Sequence, residues 1–462
     1  MATPFGATQA ACLPPLIPNH AWESETDLLA NLTESLGLVE ALEAFHAHRV
    51  AFLDWDRDLS TLAALGIRHV RVPLSWCLTD KDFDTLTKAN AQEYVCADPF
   101  YDGVQWPAVS KPFLQRFLRA CAQHGIQATL DMHTYPGATS IGTFSGLWPQ
   151  WPRFWLHDDP SNPQKDVGRQ TLQSMIHWIE SLAETDPLAL KGIGALSPMN
   201  EPAHLAGIFE ADSPQAYLPP LPEKVAQQYL QDLDGELPDG IHLRVLLWLQ
   251  DAVQAFRQST LPSLGVDLHV NIIESIFSWS LPAPEEFHDD DSPGVLIWIA
   301  SWWAHATSAT ERASWAVLDV HHYHAWFPEC QGSMAGPASG SAYTCGDKEE
   351  AEKILKKCTT WASKYRRAMD DAGQDHARLA SAEFSVSTHH TLRLACGNQL
   401  STLLTSYLDQ VNAAQDNDID LYYWSWKMPY GGAYRSEWSF SHFLYLLGIL
   451  DRPDEPLLAC GK

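Results

Sequence analysis

Two stretches far apart in the chain each carry a glutamate in a setting suited to acid–base or nucleophilic chemistry. Ser197-Pro198-Met199-Asn200-Glu201-Pro202 follows Lys191-Gly192-Ile193-Gly194-Ala195-Leu196, a short apolar run of strand length bounded by glycine. A strand ending on Asn-Glu-Pro places a carboxyl group at the C-terminal edge of a parallel sheet, where such sheets keep their chemistry. Pro202 ends the ladder and is expected to hold Glu201 in an extended backbone. Asn200 offers a donor and an acceptor beside the carboxyl. Alone, Asn-Glu-Pro reads as a surface loop. The second glutamate, in Ala382-Glu383-Phe384-Ser385, reverses that reading.

Other polar residues fall at the ends of strand-like runs. In order these are Arg71, His133, Asn200 with Glu201, His321 and Tyr323, Glu383, and Trp424. In a parallel sheet these ends converge on one face, giving two carboxyls, two histidines, an arginine, a tyrosine and a tryptophan platform. Two carboxyls beside a stacking surface suit glycoside hydrolysis, in which one donates a proton to the leaving oxygen and the other attacks the anomeric carbon. Arg71 near Glu383, and a hydrogen bond from Tyr323, would favour an ionised Glu383. Glu201 is then the acid. The expected consequences are carboxyls about 5 Å apart and retention of anomeric configuration.

The elements that must position these residues alternate between strand and helix. Strand patterns occupy 66–74, 126–132, 191–196, 266–273, 315–320, 378–384 and 419–426. Helical periodicity occupies 112–124, 170–184, 241–257, 295–306, 349–372 and 400–414, with a last helix around 441–448. An eighth strand is expected over 7–16, made irregular by Pro14 and Pro15. The alternation predicts an α/β fold, a (β/α)8 TIM barrel, as one catalytic domain over 1–462. Long insertions, Ala203 to Asp239 and Phe327 to Asp347, would rise over the C-terminal rim and shape a cleft. A doubly wound nucleotide-binding sheet loses support because no Gly-x-Gly-x-x-Gly or P-loop follows a strand.

The chain has 462 residues, 45% hydrophobic, ample for one large core or two ordinary domains. Its formal charge of −27, from 57 acidic and 30 basic residues, argues against a nucleic-acid partner or an anionic membrane surface. A neutral substrate fits better, and 19 tryptophans supply flat faces on which sugar rings stack. The nine cysteines show no metal-site spacing; Cys77 and Cys121 read as small core residues, while Cys330, Cys345 and Cys460 could form one disulfide. No apolar run approaches the roughly 20 residues of a membrane span. Met1 to Leu16 lacks the pattern of a secretory signal, and Asn31-Leu32-Thr33 is a single glycosylation sequon.

Taken together, several motifs resemble glycoside hydrolase family 5, and within it the exo-β-1,3-glucanase-like branch. They are Gly66-Ile67-Arg68-His69-Val70-Arg71-Val72-Pro73, Leu130-Asp131-Met132-His133, Asn200-Glu201-Pro202, Asp319-Val320-His321-His322-Tyr323, Ala382-Glu383-Phe384-Ser385 and Tyr423-Trp424-Ser425-Trp426-Lys427, with Glu437-Trp438-Ser439 following. The resemblance implies that Glu201 is the acid/base and Glu383 the nucleophile. It places Asn200 on the sugar 2-hydroxyl, Arg71, His133, His321 and Tyr323 around the reacting sugar and Trp424 beneath it; Trp438 matches a late tryptophan that could line the entry subsites or equally pack the core. It implies no metal and no cofactor. Two departures stand out: Ala382 where the family often has glycine, and Thr134-Tyr135-Pro136-Gly137-Ala138 after His133. The latter loop is expected to border the substrate subsites.

The expected activity is a retaining β-glycosidase acting on a neutral β-linked oligo- or polysaccharide, β-1,3-glucan first, by a monomer. β-1,4- or β-1,6-glucan, mannan or a glycolipid stay open as substrates, as does a non-catalytic glycan-binding protein on the same barrel. Trp148, Trp151 and Trp155 could bind further sugar units or pack a loop, and Trp302 and Trp303 read as core. His389 and His390 read as loop residues. The family resemblance favours export, and exo versus endo action is open.

Overall fold

The computed structural model describes residues 24–139, 145–147, 154, 166–202, 241–272, 296–325, 348–388, 400–427 and 433–452. The expected first strand, both long insertions, Trp148, Trp151, Trp155, His389, His390, Cys330, Cys345 and Cys460 lie outside the described residues. The described chain divides into two compact units, one reaching Asn271 and including Ser314–Ala316, the other taking Ile272–Ala313 and the residues from Val317 onward.

In the first unit, strands β1 (His69–Leu74), β6 (Gln127–Met132), β7 (Ile193–Ser197) and β8 (Asp267–Ile272) pair in parallel in that order. Between β1 and β6 lie four short strands, β2 (Leu78–Thr79), β3 (Val95–Ala97), β4 (Gln105–Pro107) and β5 (Val109–Ser110). Apart from the short strands, these elements match the sequence pattern to within a few residues. Helix Lys111–Gln123 shows why: Ser110 caps it by accepting from Phe113 N, and Phe113, Leu114, Phe117, Leu118 and Cys121 recur on its buried face. The 18-residue helix Ile241–Gln258 covers the stretch before β8.

The short strands were not legible beforehand, because each is only two or three residues long. β3 and β4 form an antiparallel hairpin, fastened by side chains rather than by a long ladder. Asp98 is buried and accepts from Phe100 N at 2.8 Å, Trp106 Nε1 at 2.9 Å and Gly137 N at 2.9 Å. Cys77, expected as a small core residue, is buried but bonded to Cys96 in a disulfide. Cys121 is the buried free thiol its helix position suggests.

The second unit holds β9 (Ala316–His321), β10 (Arg378–Phe384) and β11 (Ile419–Tyr423), again parallel and in chain order. Helix Leu296–Ala306 buries Trp302 and Trp303 completely, as core. The helix expected over 349–372 is two helices, Lys348–Cys358 and Thr360–Asp371. The break falls where the Thr359 and Thr360 hydroxyls take the Lys356 and Lys357 carbonyls, competing with the helix ladder. Cys358, at that break, is disulfide-bonded. Helices Ala309–Ser314 (through Ala313), Leu400–Asp416, Ala433–Trp438 and Phe440–Leu446 also belong to its described residues.

Candidate active site

In the first unit, the strand ends gather Arg71, Asp131, His133, Asn200 and Glu201. Arg71 Nη2 donates to Asn200 Oδ1 at 2.6 Å and lies 3.0 Å from Asp131 Oδ2. The same Asp131 oxygen is 2.7 Å from His133 Nδ1. Asp131 is therefore a shared anchor: i and i+2 on a strand point to one face, so Asp131 reaches His133 directly. Its charge compensates the buried Arg71 guanidinium, which otherwise would be costly to bury.

Glu201 is half-buried, and its backbone departs from expectation. Its φ is +46°, in the left-handed region, not the extended conformation that a following proline favours. In this conformation Glu201 N donates to Asn271 Oδ1 at 2.7 Å. The neighbouring Asn200 N donates to Met132 O at 3.1 Å, continuing the sheet past the end of β7.

The loop after His133 is packed into the first unit. Thr134 to Thr139 are all buried, and Tyr135 packs its ring against Phe154 and Trp248. Its hydroxyl donates to Pro198 O, bracing the segment that carries Asn200 and Glu201. Tyr135 is a strut of the first unit.

In the second unit, Glu383 is 3% exposed. Tyr323 Oη donates to Glu383 Oε2 at 2.6 Å, and His321 Nδ1 lies 3.5 Å from the same oxygen. The strand places Glu383 by breaking its own ladder. The β9–β10 register shifts between Ala380 and Glu383, and Ala382 N donates instead to Asp319 Oδ1 at 2.7 Å. A register shift of this kind re-aims the side chain that follows it. The other Asp319 oxygen lies 3.7 Å from His321 Nε2, so Asp319 supports both neighbours of the carboxylate.

Trp424 is buried and follows β11, with its backbone N–H donating to Phe384 O, the residue after Glu383. Trp438 is buried too, its ring centroid 5.1 Å from that of Tyr323. Glu437 is fully buried and accepts from Ser387 Oγ at 2.9 Å.

Asp131, Asn271 and Asp319 were missed as individual site residues. A signal existed for the two aspartates, since an acidic residue inside an otherwise apolar strand is rarely buried without a partner. Both also stand two residues before a histidine, in Asp131-Met132-His133 and Asp319-Val320-His321. Asn271 had no such signal.

No family profile matches the chain. A β-xylosidase from Phanerodontia chrysosporium is 25% identical over 185 residues, covering 38% of this chain and 31% of the relative. The match thus spans about a third of the relative's length. Among solved structures, an endoglucanase, Cel5A, from Pseudomonas stutzeri has a TM-score of 0.39 at 14% identity, covering 82% of this chain and 78% of its own. The rutinosidase from Aspergillus niger has a TM-score of 0.50 at 14% identity, covering 96% of this chain and 97% of its own. The parallel strands and their flanking helices thus fit the α/β barrel-like fold found in glycoside hydrolases, and along nearly its whole length the chain shares the fold of that rutinosidase.

Proposed function

We propose that the chain is a retaining β-glycoside hydrolase, a single (β/α)8 catalytic domain acting as a monomer on neutral β-glucan, with β-1,3-glucan the first substrate to test. Glu383 is the nucleophile and Glu201 the acid/base. In the first step a Glu383 oxygen bonds to the anomeric carbon as the glycosidic C–O bond breaks, and the Glu201 proton passes to the leaving oxygen. In the second, water attacks that carbon, Glu201 takes its proton, and the Glu383 carboxylate is released.

The observation that carries the reading is the buried Glu383 carboxylate held by Tyr323 at 2.6 Å, with His321 beside it. A buried carboxylate fixed by a hydrogen bond suits a nucleophile that must be ionised and held in place. Half-buried Glu201 suits a group that exchanges its proton with water in each cycle. With Oδ1 occupied by Arg71, the Asn200 amide NH2 is the group that meets a sugar 2-hydroxyl. His133 presents Nε2, its Nδ1 being turned to Asp131. Trp424 supplies the floor beneath the sugar and Trp438 supports Tyr323.

The test is a time course of products from soluble β-1,3-glucan with the wild-type protein and Glu383→Gln, following the anomer first released by NMR. β-Glucose from the outset, lost in the variant, supports an exo-acting retaining enzyme; mixed oligosaccharides mean an endo-acting cleft. The α-anomer appearing first would overturn the double displacement. If β-1,3-glucan is inert, β-1,4- and β-1,6-glucans, mannan, glycolipids and a rutinoside follow. Binding without products from any of these would leave a glycan-binding protein.

A further inference from the structure

We infer that Asn271 is a positioning residue for Glu201, holding the acid/base carboxyl in place against the backbone preference of its own segment. This rests on the acid/base reading above. Glu201 precedes Pro202, and sterics with the proline ring drive such a residue toward extended φ/ψ. The observed φ of +46° is instead one that a residue with a β-carbon adopts at a cost of about 1–3 kcal/mol. Something must hold it there.

The Asn271 side chain is placed to do so. It is 0% exposed, and its Oδ1 accepts from Glu201 N at 2.7 Å. β7 and β8 pair at Ala195 with Asp267 and at Leu196 with Leu268. Continuing that register brings Asn271 level with the residues just beyond Ser197, where β7 has ended. Its amide thus takes over from the strand ladder at the point where the catalytic segment leaves the sheet.

The direction of the Cα–Cβ bond of Glu201 depends on its φ and ψ. Freed from Asn271, the segment relaxes toward the extended conformation and swings the carboxyl away from the leaving oxygen. Misplacing a catalytic group by about 1 Å costs on the order of a hundredfold. The nucleophilic half of the site is untouched, so the loss follows the demand for acid catalysis.

That demand is set by the leaving group. The experiment measures kcat/KM for dinitrophenyl and unsubstituted phenyl β-glucosides with the wild-type protein, Asn271→Ala, Asn271→Asp and Glu201→Gln, alongside thermal unfolding of each. Dinitrophenolate departs without a proton, whereas phenolate needs one. The expected result is a loss of about a hundredfold for Asn271→Ala on the phenyl glucoside, and a loss smaller by about tenfold or more on the dinitrophenyl compound. Asn271→Asp, which keeps an acceptor oxygen, recovers the phenyl activity in large part.

Equal losses on both substrates, no loss on either, or an aspartate variant as impaired as alanine would overturn the inference. Should Asn271→Ala not fold, Asn271→Ser carries the same comparison through its phenyl-to-dinitrophenyl ratio. If Glu201→Gln shows the leaving-group dependence and Asn271→Ala does not, only the role of Asn271 falls. If Glu201→Gln itself lacks that dependence, or the wild-type protein hydrolyses neither glucoside, the acid/base reading falls and takes this inference with it.

Discussion

The Tyr323 hydroxyl donates to Glu383 Oε2 at 2.6 Å, while its ring leans on Trp438 with centroids 5.1 Å apart. One face of the phenol is thus fixed by packing and its tip by charge. Hydrogen bonds to charged groups contribute about 1.5–3 kcal/mol. Tyr323→Phe is expected to lower kcat/KM by roughly ten- to a hundredfold and, because it leaves a buried carboxylate one donor short, to cost about 1.5–3 kcal/mol of stability as well. Trp438→Ala should act in the same direction but less strongly. The double variant should lose less than the product of the two, because Trp438 acts through Tyr323. Initial rates for the three proteins check this.

Asp131 supports Arg71 and His133 from a fully buried position. Asp131→Asn keeps the shape but leaves the Arg71 guanidinium buried without its countercharge. The expected cost is about 3–5 kcal/mol, read as a lower urea midpoint, together with a loss of turnover. Unchanged stability would mean that Arg71 finds its compensation elsewhere.

His48 is buried in the first unit, and burial pushes its pKa down to about 4. The unfolded chain binds this proton from about pH 6.5 and the folded chain only near pH 4. Its contribution to stability is therefore complete above pH 6.5 and lost as pH falls toward 4. Replacing it by a residue that does not titrate removes this dependence. The unfolding free energy of His48→Gln relative to wild type should rise by about 2.4 kcal/mol between pH 7 and 4.5. Denaturant melts at the two pH values measure the difference, in which other titrating groups cancel. His324, pushed down to about 3 by burial, should behave likewise in the second unit.

The Cys77–Cys96 disulfide ties the middle residue of hairpin strand β3 to a position 19 residues earlier, closing the loop between them. Loops of this size gain about 3 kcal/mol from closure. Cys96→Ala should lower the unfolding temperature accordingly, and added reductant should bring the wild-type protein toward the variant. The Cys121 thiol, raised to about 12 by burial, should stay unmodified by alkylating reagents while the protein is folded.

Most of the longer strands were legible because each is a short, mainly apolar run between turn residues, as in Ile193–Ser197 and Ala316–His321. The residues at their ends could then be named by chemistry alone, and within each unit they do meet, Arg71 with Asn200 and Tyr323 with Glu383. What stayed hidden depends on partners distant in sequence. Asn271 contacts Glu201 across 70 positions, and Gly137 meets Asp98 across 39. The extended backbone expected for Glu201 followed correctly from its local sequence and was overridden from outside it. The Thr359 break was missed because helix periodicity is unchanged through it, while the two hydroxyls that end the first helix act below the scale of that pattern.

The left-handed backbone at Glu201 sets stability against activity at a single codon. Glycine is the residue that tolerates this conformation without strain, and it has no carboxyl group. A screen that rewards only folding should therefore drift toward glycine at 201, and such a variant would melt higher while losing its acid. A screen that rewards turnover must retain both the strained residue and the asparagine that restrains it. Positions 201 and 271 would then be expected to change together or not at all, and thermostabilising libraries for this protein are best built with both held fixed.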